Sequence, residues 1–95
     1  MLINKGFSNG DIVSLKITNG DEIVARFEEE TDSTIKFSRP LAVTVSHQGL
    51  GMIPWMFLGE SEFYTLKKDH VFAMVRTKDD AALQYMQGTT GLTLR

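Results

Sequence analysis

With 95 residues, 42% of them hydrophobic, the chain has the size of one domain and too much apolar content to remain unfolded. The absence of cysteine excludes disulfides, thiolate nucleophiles and cysteine-ligated zinc, and no apolar run approaches the ~20 residues of a membrane helix. A net charge of −2 argues against broad, non-specific nucleic-acid binding, which draws on a basic face. The charge is unevenly spread: six acids and one base lie between Asp21 and Asp32, whereas residues 67–78 are basic on balance. Residues 1–11 lack the charged-then-apolar layout of a secretory signal, so a cytoplasmic protein is expected.

In chain order, Leu2, Ile3 and Phe7 are broken by Gly6 and Asn9-Gly10, which predicts short extended structure. Residues 12–18 alternate, with Val13, Leu15 and Ile17 on one face and Ser14, Lys16 and Thr18 on the other, as in a half-buried strand. Asn19-Gly20 then tolerates the positive φ of a tight hairpin turn. Residues 22–29 alternate again, with Ile23, Ala25 and Phe27 inward. Residues 34–37 predict a third strand through Ile35 and Phe37, Arg39-Pro40 a bend or bulge, and Leu41, Val43 and Val45 a resumed alternation. Residues 48–51 read as a hairpin tip.

Two later segments, 52–58 and 71–75, are apolar on both faces. A strand in a small barrel has one face in the core, so a second apolar face needs a cover. In a chain this short the available cover is another copy, which makes Met52, Trp55, Met56, Phe57, Phe72 and Met74 the expected oligomer interface. Residues 77–87 predict a short helix capped by Thr77 or Asp79, with Asp79 and Asp80 at its positive end and Gly88 to stop it. Residues 89–95 read as a loose tail. The expected organisation is one domain over 1–95: a barrel over 12–76, a helix over 77–88 and the tail.

Five short strands with a tight turn after the first predict an all-β fold, a small five-stranded SH3-like barrel. The layout Val13, Leu15, Ile17, Asn19-Gly20, Ile23, Ala25, Phe27, Ile35 and Phe37 resembles the first motif of the Sm-like family. Leu66-Lys67-Lys68-Asp69-His70-Val71-Phe72-Ala73-Met74 has the rhythm of its second motif. The resemblance covers roughly residues 12–76. Lys67-Lys68 stands where the family has Arg-Gly, Thr34 stands where it has Asn, and a C-terminal helix replaces an N-terminal one, as in a divergent, phage-type member. The resemblance implies a homo-oligomeric ring, the fourth strand of one subunit pairing with the fifth of the next. It also implies single-stranded RNA bound around the pore.

On that footing the expected RNA contacts are Lys67, Lys68, His70, Asp32, Thr34 and Tyr64. Each lysine repeats around the pore, which draws phosphate to a subunit acidic overall. His70 and Tyr64 could stack on bases, and Asp32 and Thr34 could touch base edges. The simpler reading makes the lysines and His70 a solvated turn, and Trp55 and Phe57 packing residues. The run Glu28-Glu29-Glu30 is a solvated strand end, and His47 and His70 lack zinc-ligand spacing. No nucleophile elbow, phosphate-cradling loop or metalloprotease motif is present, so no enzyme, cofactor, metal or small-molecule substrate is expected. The alternative to an RNA-binding ring is a structural or protein-binding ring. A third reading is a barrel docking onto a larger assembly through Trp55.

Overall fold

The computed structural model describes residues 2–3 and 6–89. Seven strands form one sheet: β1 (Leu2–Ile3), β2 (Ile12–Ile17), β3 (Glu22–Glu30), β4 (Thr34–Ser46), β5 (Gly49–Pro54), β6 (Phe63–Lys67) and β7 (Val71–Arg76). A 3-10 turn, Lys68–His70, links β6 to β7, and one helix, α1 (Asp79–Thr89), follows. The strand order is β1-β7-β2-β3-β4-β5, with β6 also on β4. Every pair is antiparallel except β1–β7.

The alternation read from the sequence sets the inner face. Val13, Leu15 and Ile17 of β2, Ile23, Ala25 and Phe27 of β3, and Ile35 and Phe37 of β4 are all buried in one cluster with Val71 and Met74. Phe7, Trp55, Tyr64 and Leu66 close its rim. Strands of a single sheet supply this cluster, so the sheet curls around its own apolar face. The β2–β3 turn closes as expected around Asn19-Gly20, but only Gly20 takes a positive φ, +100°. Gly20 N–H donates to the Ile17 carbonyl and Asp21 N–H to Asn19 Oδ1, the geometry of a type I turn ending in a left-handed glycine.

The bend expected at Arg39-Pro40 is present: β4 runs through it, and Arg39 bends the chain at φ +49° without ending the strand. Its first half pairs with β6 and its second with β5. Several other expectations need correction. The 52–58 segment is not one strand: β5 stops at Pro54 and a loop runs to Glu62. Beyond it β6 was unforeseen as a separate strand, although Tyr64 and Leu66 alternate with Phe63, Thr65 and Lys67. Met74 is no interface residue. In the β2–β7 register, Lys16 faces Ala73 and Ile17 faces Val71, so Phe72 is an extra, bulged residue. The bulge shifts the phase, and Val71 and Met74 both point inward, 1% and 0% exposed. The helix starts and ends two residues later than expected. Thr77 spends its hydroxyl on Ser14 Oγ (2.8 Å), and the first helical bond runs from Ala82 N–H to the Lys78 carbonyl. Gly88 lies within the helix. Of the expected tail, residues 90–95 lie outside the described residues.

Helix α1 lies on the outer face of the sheet and fixes it through Tyr85, whose hydroxyl donates to the Arg39 carbonyl at 2.7 Å. Burial pushes the Tyr85 phenol up to about 12. Nearby, buried Ser38 donates to Glu28 Oε2 at 2.6 Å, and this bond, with Asn9 and Arg26 adding to it, holds the Glu28 carboxyl below its ordinary range. Tyr85→Phe should cost about 1–2 kcal/mol in urea unfolding, the value of one buried bond with an orphaned acceptor. The Tyr85 contribution is complete below the ordinary phenol value of 10.0 and is lost as pH climbs from there through about 12, because the unfolded chain releases the proton first. Wild type should therefore lose stability over that window by a mechanism that Tyr85→Phe lacks.

Candidate functional site

The β3–β4 turn and the 3-10 turn meet at one end of the sheet. Thr34 pairs with Lys67 across β4 and β6, and Lys68 N–H donates to the Ser33 carbonyl at 2.8 Å. Thr18 N–H donates to the His70 carbonyl at 3.0 Å, which brings the end of β2 to the same place. Asp32, Thr34, Lys67, Lys68 and His70, expected together, are thus gathered. Tyr64 is not: it stands three residues up β6 from Lys67, roughly 10 Å away at strand rise. There it is half-buried, stacked on Phe37 at 6.1 Å and edge-on to Trp55 at 5.9 Å.

The electrostatics of this end are mixed. Lys68 Nζ sits 2.8 Å from Glu30 Oε2 and is only 23% exposed, so its charge is largely engaged within the chain. Lys67 and His70 are exposed, as are Asp32 and Asp69. The Thr34 hydroxyl bonds to that of Thr31 at 2.7 Å, which stiffens the turn and uses one of its hydrogen-bonding positions. The two lysines share the end with Glu30, Asp32 and Asp69, so this end is not uniformly basic. Among the described residues no group of three His, Asp or Glu side chains could hold a metal ion, and no helix is long and apolar enough to cross a membrane.

The other expected surface is apolar. Met56, Phe57 and Phe72 stand out into solvent, the last two at about 70% exposure. Met52 is half-buried on the outer face opposite Val43. Trp55 is mainly a packing residue: it contacts Phe37, and its Nε1–H donates to Asp21 Oδ2 at 3.2 Å. Ile53, Leu58 and Val75, within the two apolar segments, are exposed as well; Val45, Leu50 and Phe63, outside those segments, are exposed and were not expected to be. Leu50, between two glycines just past the tip of the β4–β5 hairpin, was a visible signal, because a leucine so near the tip has no core to reach. Two strands, β5 and β6, each pair on one side only, with β4. On β7 the side away from β2 is covered by β1 at Ala73 and Met74. No protein-family model and no curated protein matches this chain.

The two lysines should separate in stability measurements. Lys68→Ala removes the Glu30 pair and should lower unfolding stability by at most about 1 kcal/mol. Lys67→Ala, with no ion pair to lose among the described residues, should leave the urea midpoint unchanged.

Proposed function

We propose that the chain is a self-assembling Sm-like module whose copies join edge to edge in a closed ring that binds single-stranded RNA at its pore. In this reading β2, β3, the first half of β4, β6 and β7 form a small SH3-like barrel, and the β4–β5 hairpin is an addition to it. The module is a binding protein and not an enzyme. The observation that carries it is the conjunction of an unpaired β6 edge with exposed apolar side chains on and beside it and on β7: Phe63, Phe57, Phe72 and Val75. A free edge and several exposed large apolar side chains are both liabilities in a solitary soluble protein, and pairing β6 with the β7 of a neighbour removes both. Strand β1, only two residues long, yields or extends its place on β7 when the neighbour arrives.

The gathered turns supply the RNA contact. Lys67 and His70 point to solvent at the end of the sheet, and repetition around a ring multiplies each charge in a small space. A second reading, an assembly ring without nucleic acid, draws on the Lys68–Glu30 pair and the carboxylates beside it.

Light scattering on micromolar protein should give a mass that is a multiple of 10.7 kDa, and Phe72→Glu should reduce it. A mass of one chain for wild type would end the ring reading. In fluorescence anisotropy, oligo-uridine or oligo-adenine binding should weaken more than about tenfold between ~50 and ~200 mM salt. Combined Lys67→Ala and Lys68→Ala should abolish it. Absence of binding at low salt would leave the assembly ring without RNA.

A further inference from the structure

Among the described residues the most exposed large apolar side chain is Leu58, at 96%, and its neighbour Phe57 is 71% exposed. They sit in the loop between β5 and β6, and that loop is held at both ends. Trp55 N–H donates to the Pro40 carbonyl at 3.2 Å, and the Glu62 carbonyl accepts Arg39 N–H at 2.9 Å. A Cβ at position 59 would lie 2.8 Å from Met56 Cγ and 3.4 Å from the Tyr64 hydroxyl, so Gly59 is tucked against both side chains. Phe57 and Leu58 therefore form a pre-organised apolar knob, which loses little freedom on docking.

A matching hollow lies elsewhere on the surface. Val24, Val43, Leu50, Met52 and Val75 on the outer face of the sheet, with the first turn of α1, line a groove of about 350 Å³. Arg76 and Lys78 stand on its rim, as does Glu22. The knob is followed by Glu60, and neither Glu60 nor Lys78 makes an ion pair among the described residues. Knob and groove are thus complementary in polarity and in charge.

We propose that the Phe57-Leu58 knob of one copy seats in the Val43–Met52–Val75 groove of the next, with Glu60 facing Lys78. The occupant of the groove is a second copy of this chain. The inference rests on the edge-to-edge assembly proposed above and gives that interface its side-chain lock. The register agrees. With β6 antiparallel to the neighbour's β7, as all sheet pairs but β1–β7 run, the loop before β6 lies beside the residues that follow β7. Those residues are Thr77 and Lys78, which line the groove together with Arg76 at the end of β7. The contact joins two different patches, so it is directional and continues from copy to copy until the ring closes.

The chain has no cysteine, so engineered thiols report on this contact alone. Leu58→Cys protein mixed with Leu50→Cys protein should form a disulfide-linked dimer under mild oxidation, while neither variant alone does so. Glu60→Lys and Lys78→Glu should each raise the dissociation midpoint of the assembly at least tenfold, and the two together should bring it back to within about threefold of wild type. If wild type assembles but the mixed thiols do not link and the charge variants stay within twofold, the knob-and-groove contact is wrong and edge pairing stands without it. If wild type has the mass of one chain, both proposals fall.

Discussion

The structure turns on the bend in β4 at Arg39. A non-glycine residue at φ +49° costs about 1–3 kcal/mol, so neighbouring contacts must hold it there. They do so from three directions. Arg39 N–H donates to the Glu62 carbonyl, its own carbonyl accepts the Tyr85 hydroxyl, and its guanidinium donates to the Thr89 carbonyl at the end of α1. Pro40, which has no N–H to offer a ladder, gives its carbonyl to Trp55. Net gains of about 0.5–1.5 kcal/mol for each such bond offset the strain. The bend lets one long strand carry two partners on the same side, β6 before it and β5 after it. It also gives α1 its docking point and fixes both ends of the loop that presents Phe57 and Leu58.

A second irregularity governs the surface. The bulge at Phe72 puts one large aromatic side chain outside and returns Met74 to the core. Without it, strict alternation would place Phe72 and Met74 on one face, which is how the sequence was read. The two-sided apolar character of 71–75 is real, but it divides between a core of Val71 and Met74 and an outer face of Phe72, Ala73 and Val75. The 52–58 segment divides differently, with the chain turning at Pro54 so that Trp55 packs inward while Met56, Phe57 and Leu58 do not.

Where period-2 alternation was clean, the sequence was sufficient. Val13 through Phe37 fall inward as expected, because each residue's face follows from its parity once one turn is placed. Irregularities have no parity. Arg39 at positive φ, the extra residue at Phe72 and the exit at Pro54 are set by partners on other elements, Glu62 and Tyr85 for the first, Lys16 and Ile17 for the second and Leu41 for the third, which no local pattern announces. The turn cluster was legible as a group because Lys67, Lys68 and His70 are adjacent in sequence and the β3–β4 turn must end beside them. Tyr64 was misplaced because its stacking partners, Phe37 and Trp55, come from other strands. Glu30, which engages Lys68, lay within an acidic run that looked only solvated.

The placement of β7 has a consequence for how the molecule comes into being. Val13 lies beside Arg76 and Leu2 beside Ala73, so one side of the sheet is knitted from strands that stand far apart along the chain. Closing so large a span is entropically demanding and gives high contact order, the regime of slow folders. A nascent chain on the ribosome must carry Val13, Leu15 and Ile17 uncovered on one flank until residues 71–76 have emerged, and that strand then completes the core in one cooperative step.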